Sequence, residues 1–135
     1  MLVVDASSAL ALCMQDEVSD RAHHLLARLG DDRAIAPANW PVEVSNGLWA
    51  AERRGRIQRS EIPRVRAILN GLRVEIVPVE LDLALGEALD IARTYALSVY
   101  DAAYLTVALQ HEASMATVDA RLRQACESTG VAVFD

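Results

Sequence analysis

Short runs of β-branched and aliphatic residues alternate along this chain with longer segments whose apolar positions recur every three to four residues. Such alternation is expected of βαβ units built around a parallel sheet. The short runs predict strands over residues 2–5, 33–36, 74–78, 115–118 and 131–134. Ala22, Leu25, Leu26 and Leu29 fall at i, i+3, i+4 and i+7 and predict a helix that stops at Gly30. Leu81, Ala84, Leu85, Ala88, Leu89 and Ala92 keep the same spacing and predict a helix with one buried face. Further helices are expected over 7–13, 40–54, 60–71, 100–112 and 120–129, with Asn39 and Ser60 as N-caps and Gly55 and Gly130 as stops. No repeat, low-complexity tract or linker interrupts the series.

Composition narrows the class. At 135 residues the chain fits one domain, 1–135, because a domain of this length buries roughly two thirds of its unfolded surface. Charges break every long apolar run, so no stretch reaches the ~18 apolar residues of a membrane span. The start has no basic segment ahead of an apolar one, and Asp5 interrupts the first apolar run, so a secretory signal is not expected and the location is expected to be cytoplasmic. Cys13 and Cys126 lack metal-ligand or redox spacing and read as small buried hydrophobes. His23, His24 and His111 share no zinc-ligand spacing.

Charge is unevenly spread. The net value is −6, yet residues 53–73 carry seven arginines (Arg53, Arg54, Arg56, Arg59, Arg64, Arg66 and Arg73) against Glu61 alone. That is a local +6, leaving −12 elsewhere. All thirteen basic residues are Arg; there is no Lys.

Four acids stand at strand-to-helix junctions: Asp5 ends the first strand, Asp119 the fourth, and Glu43 and Asp101 fall near the starts of helices. Each has a local alternative. Asp5 and Asp119 can cap helices, Asp101 follows Ser98 at capping-box spacing, and Glu43 can be a solvated surface residue. In an open α/β sheet, however, ligands bind beyond the carboxyl ends of the strands, where all four acids would meet. Converging carboxylates repel, and a hard divalent cation with oxygen ligands, Mg²⁺ or Mn²⁺, relieves that repulsion. Ser7 and Thr117, each two residues from an acid, are candidate supports for the carboxylates or a bound water.

The segments V-V-D-A-S-S-A-L, P-V-E-V-S-N-G-L-W, S-V-Y-D-A-A-Y-L-T-V-A-L and A-T-V-D-A-R-L, in this order, resemble the PIN-domain ribonucleases, and among them the VapC-type toxins of bacterial toxin–antitoxin pairs. The most specific element is Y-D-A-A-Y-L followed about 16 residues later by T-x-D. The resemblance implies a three-layer α/β/α fold with a five-stranded parallel sheet in the order 3-2-1-4-5. It places Asp5, Glu43, Asp101 and Asp119 in a metal-binding quartet, with Thr117, Ser7 and Asn46 in support. It further implies Mg²⁺- or Mn²⁺-dependent cleavage of RNA, a homodimer, and silencing by an antitoxin segment that enters the acidic groove. Val118 stands where the family more often has a small residue. Arg53, Arg54, Arg56 and Arg59 would then position the RNA backbone, the alternative being a solvated helical face with ion pairs between helices. Leu48, Trp49 and Ile57 would form part of a partner surface, with ordinary core packing as the alternative, the favoured one for Leu48.

Two other classes also gather acids at strand ends. Receiver domains and haloacid-dehalogenase-type phosphatases require a Lys, and this chain has none. The remaining alternative is a PIN-fold module that binds RNA or a partner without cutting, against which the full set of four acids argues.

Overall fold

The computed structural model describes residues 1–14 and 20–134. Strand β1 (Leu2–Val4) leads into α1 (Ala6–Cys13); α2 (Asp20–Asp31) precedes β2 (Ala34–Pro37) and α3 (Trp40–Arg53). A 3₁₀ turn (Arg59–Glu61) opens α4 (Ile62–Gly71), which is followed by β3 (Glu75–Val77). Next come α5 (Leu81–Leu83), a π turn (Ala84–Ala88) and α6 (Leu89–Tyr95) in unbroken succession. The chain closes with α7 (Val99–Gln110), β4 (Ser114–Ala116) and α8 (Ala120–Thr129).

The sheet is parallel, in the order β3-β2-β1-β4, with Leu2 opposite both Ala34 and Ser114. β1 and β2 are buried throughout, as central strands covered on both faces must be. The fifth strand expected over 131–134 is reduced to one parallel bridge, Met115 to Val133. Two backbone hydrogen bonds, Met115 N–H to the Ala132 carbonyl and Phe134 N–H to the Met115 carbonyl, join it to β4 among the described residues. The α/β/α class and the order 3-2-1-4 therefore stand, with four strands in place of five.

Helix α7 crosses β1 and β2 and meets α6 and α8 on its outer sides. Every residue from Ala102 to Ala108 is buried, which an all-round apolar helix requires, and Thr106 satisfies its hydroxyl on the Ala102 carbonyl at 2.9 Å. Helix α1 packs on α3, where Gly47 lets Leu10 lie against the α3 backbone; a β-carbon at 47 would collide with Leu10 Cδ1.

Local expectations fared unevenly. Gly130 closes α8 in the left-handed conformation at φ +79°, and Gly55 follows α3 at φ +73°. Gly30 does not stop α2, which runs one residue further. Asn39 precedes α3 but makes no capping bond, and Gln58, not Ser60, caps the 3₁₀ turn, in a reciprocal pair with Glu61. Leu81 and Leu85, expected to be buried, are 70% and 61% exposed, while Ala88, Ile91 and Ala92 are buried. The π turn between them inserts an extra residue per turn and rotates the apolar stripe away from the core. Ile57 is a core residue and Leu48 packs partly into the core, whereas Trp49 is 54% exposed.

Candidate active site

The four acids line one cleft of about 270 Å³ at the carboxyl edge of the sheet, with Ala6, Ser7, Leu10, Asn46, Gly47 and Tyr104. No cationic side chain is among its lining residues. Larger apolar grooves exist, one of about 400 Å³ between α3 and α4. Charge, not volume, singles out the acidic cleft.

Asp5 is the anchor of the site. It caps α1, accepting from the Ser8 N–H at 2.8 Å, and both its oxygens accept from Ser7 Oγ, at 2.7 and 2.8 Å. Thr117 Oγ1 donates to Oδ2 at 2.6 Å from the end of β4. The carboxylate is only 4% exposed, and burial pushes its pKa up in spite of these donors. Thr117 Oγ1 in turn accepts the Asp119 N–H at 3.0 Å, and Ser7 Oγ accepts the Val118 N–H at 3.2 Å. The β1–α1 and β4–α8 junctions are thus stitched together through hydroxyls. Asp119 caps α8 through the Leu122 N–H at 2.8 Å. Capping and lining the cleft are therefore not alternatives for Asp5 and Asp119; each carboxylate does both.

Asp101 lies in the first turn of α7, whose Ser98 cap accepts the Asp101 N–H at 3.1 Å. Burial, and then the neighbouring charge of Asp119, raise its pKa. Glu43 lies in the first turn of α3 and is raised by burial, then by the charges of Asp101 and Asp5. Burial thus holds three of the four acids against ionisation, neighbouring carboxylates add to it at Glu43 and Asp101, and a bound cation would relieve that repulsion.

Sequence reasoning missed Tyr104. Its ring is 1% exposed and its hydroxyl donates to Glu43 Oε2, which Asn39 Nδ2 also reaches at 2.9 Å. Burial, and then Glu43, drive the phenol far above its ordinary pKa, so it is a permanent donor. The available signal was its position three residues after Asp101, which places both side chains on one face of α7.

The arginines are not part of the cleft. Arg53, Arg54, Arg56 and Arg59 are exposed at the far end of α3 and beyond it, about 15 Å from Glu43 by helical rise for Arg53. The Arg53 guanidinium lies 5.3 Å from the centre of the Trp49 ring. Arg64 serves the fold instead, donating to the Cys13 carbonyl at 3.0 Å. Cys13 and Cys126 are buried free thiols, both raised by burial to about 11.

A family model for the PIN domain matches residues 2–128, nearly the whole chain. The chain belongs to the PIN-domain family. This PIN domain is 28% identical over 123 residues to Ribonuclease VapC3 of Pyrobaculum aerophilum, covering 91% of the present chain and 92% of that protein. The crystal structure of PAE2754 from the same organism superposes with a TM-score of 0.70 at 25% identity, covering 92% of this chain and 78% of that one. A toxin–antitoxin complex from Klebsiella pneumoniae superposes at 0.58 with 16% identity, covering 88% and 87%, and shares the fold.

As a metal centre, the PIN-domain cleft offers a suitable donor set: four carboxylates beside the hydroxyls of Ser7 and Tyr104 and the Asn46 amide, with no cationic side chain in its lining. Among the described residues, however, no three His, Cys, Asp or Glu side chains are gathered closely enough to enclose an ion as they stand. The two side-chain donors to Glu43, Tyr104 and Asn39, both fall on Oε2.

Proposed function

We propose that this PIN domain is a metal-dependent endoribonuclease of the VapC type, a cytoplasmic toxin restrained by a cognate antitoxin. The observation that carries this reading is the delivery of Asp5, Glu43, Asp101 and Asp119, from four separate junctions, to one cleft without a cationic side chain. The name of the VapC3 relative supports the ribonuclease activity, and the neighbouring fold in a toxin–antitoxin complex supports the restraint.

Asp5, Asp101 and Asp119, with Glu43 direct or through water, would hold Mg²⁺ or Mn²⁺, which would supply neutralisation of charge on the phosphate and a lowered pKa for the attacking water. Asp5, fixed by Ser7, Ser8 and Thr117, cannot rotate away. The carboxylates orient water and phosphate and do not attack, so in-line displacement leaves 5′-phosphate and 3′-hydroxyl ends. Asn46, on the same face of α3 as Glu43, supplies a polar side chain to the cleft wall. Arg53, Arg54, Arg56 and Arg59 hold the RNA backbone without reading its sequence.

A homodimer completes the proposal. Pro37 pairs with Val77, so the residues just beyond each, including Val42 on α3 and Leu81, emerge at the same edge of the sheet. Val42, Trp49, Leu81 and Leu85 are exposed apolar side chains suited to a second copy.

The competing reading is a PIN module that binds RNA or a partner without cutting, and the absence of a ready three-ligand group among the described residues favours it. One experiment separates the two: incubation of a small-RNA pool with Mg²⁺ or Mn²⁺, beside EDTA and an identically purified Asp5→Asn variant. Discrete metal-dependent products that vanish in the variant establish the nuclease. RNA retention without cleavage by the metal-loaded protein establishes the binding module.

A further inference from the structure

Glu43 is held differently from the other acids. Asp119 is fixed by a donor on its own helix, and Asp5 by donors on its own helix and by Thr117 beside β4, whereas Glu43 is held chiefly by a residue of another helix, 61 positions away. Tyr104 reaches it from α7, one turn beyond Asp101, with a ring immobilised in the core. Asn39 reaches it from the turn before α3, and its amide also lies 3.5 Å from the Tyr100 carbonyl at the start of α7. Both donors fall on the same oxygen, Oε2, and no donor among the described residues reaches Oε1. Without this tie, a side chain with three rotatable bonds would swing away from the charges of Asp5 and Asp101 toward water.

We infer that Tyr104 is a positioning residue for the metal ligand Glu43: with Asn39 it clamps Oε2 and leaves Oε1 to face an incoming divalent cation. The inference rests on the metal-dependent reading above. The clamp fixes the rotamer before the ion arrives and joins α3 to α7, so the two acids of those helices approach the ion as a unit. Phenylalanine at 104 keeps the buried ring and removes only the donor.

The test is Mn²⁺ binding to EDTA-stripped protein, followed by the paramagnetic signal of free Mn²⁺, for wild type, Tyr104→Phe, Asn39→Ala and the double variant, with each melting temperature measured without metal. Loss of the clamp raises the Mn²⁺ Kd about tenfold in Tyr104→Phe. Asn39→Ala raises it less, and the double variant raises it by less than the product of the two, since both act on one oxygen. A tyrosine that only packs the core would lower the melting temperature and leave the Kd within twofold of wild type. That result, or tighter binding, overturns the inference alone. Failure of wild type to bind Mn²⁺ overturns it together with the metal-dependent reading. Binding that weakens as expected in a protein that cleaves no RNA upholds the clamp and sinks the nuclease.

Discussion

Asp5 concentrates a conflict between stability and chemistry in one side chain. Its carboxylate is buried and its pKa raised, as are those of Glu43 and Asp101. A carboxyl with a folded-state pKa above its unfolded value, about 4, supports the fold below that value and loses its support as pH climbs through the folded one. Metal-free protein is therefore expected to melt at a higher temperature near pH 5 than near pH 8, and the gap should narrow when Mg²⁺ is added; calorimetry in EDTA and in Mg²⁺ checks both. Asp5→Asn keeps a capping oxygen while removing the charge. It should raise the neutral-pH melting temperature and cut RNA cleavage about 10³-fold, a loss matching the several kcal/mol a positioned metal contributes. If the Asp5→Asn variant instead melts lower than wild type, the carboxylate's hydrogen bonds outweigh its burial cost. The acids were legible in sequence because a lone charge at the end of an apolar run disturbs the burial of that run and must be compensated by a cap or a ligand. Tyr104 was not, since a tyrosine on an apolar helix looks like ordinary core until the helix opposite is known.

At the scale of elements, contact between α1 and α3 decides how near Asp5 and Glu43 can be. Gly47 is the residue that permits it, and the atom its side chain would meet is the flexible end of Leu10. Alanine there should be nearly neutral, because Leu10 can swing and Ala gains about 1 kcal/mol of helix propensity over Gly. Valine cannot be accommodated so easily and is expected to cost about 1–3 kcal/mol in denaturant titration, with cleavage falling further than stability alone explains. Periodicity located these helices well but could not register the π turn at Ala84–Ala88, because an inserted residue leaves the apolar spacing intact while turning its face. The fifth strand failed for another reason: an apolar run at the sheet edge has one neighbour at most, and here only Val133 is bridged to Met115.

Across the whole molecule, acid and base are separated along α3. Sequence showed the imbalance but not the distance, which depends on one helix carrying Glu43 at its start and Arg53 at its end. Replacing Arg53 and Arg54 by Gln should weaken single-stranded RNA binding at low salt and flatten its salt dependence, by about 0.7 in log–log slope for each phosphate no longer neutralised. An unchanged slope would remove these residues from the RNA path. Leu85→Glu should yield monomers by sedimentation with an unaltered fold, if the exposed edge at Leu81 and Leu85 is where copies meet.

The sheet order carries one more implication. β1 lies at the centre and pairs on one side with β4, more than a hundred residues later, and it is from the end of β4 that Thr117 reaches Asp5. A chain still being translated can have formed β1, β2 and β3 and yet possess neither Thr117 nor Asp119 in place. If the chain cleaves RNA as proposed, this order leaves its cleft incomplete, and the ribosome making it unharmed, until almost the last of the structure has emerged.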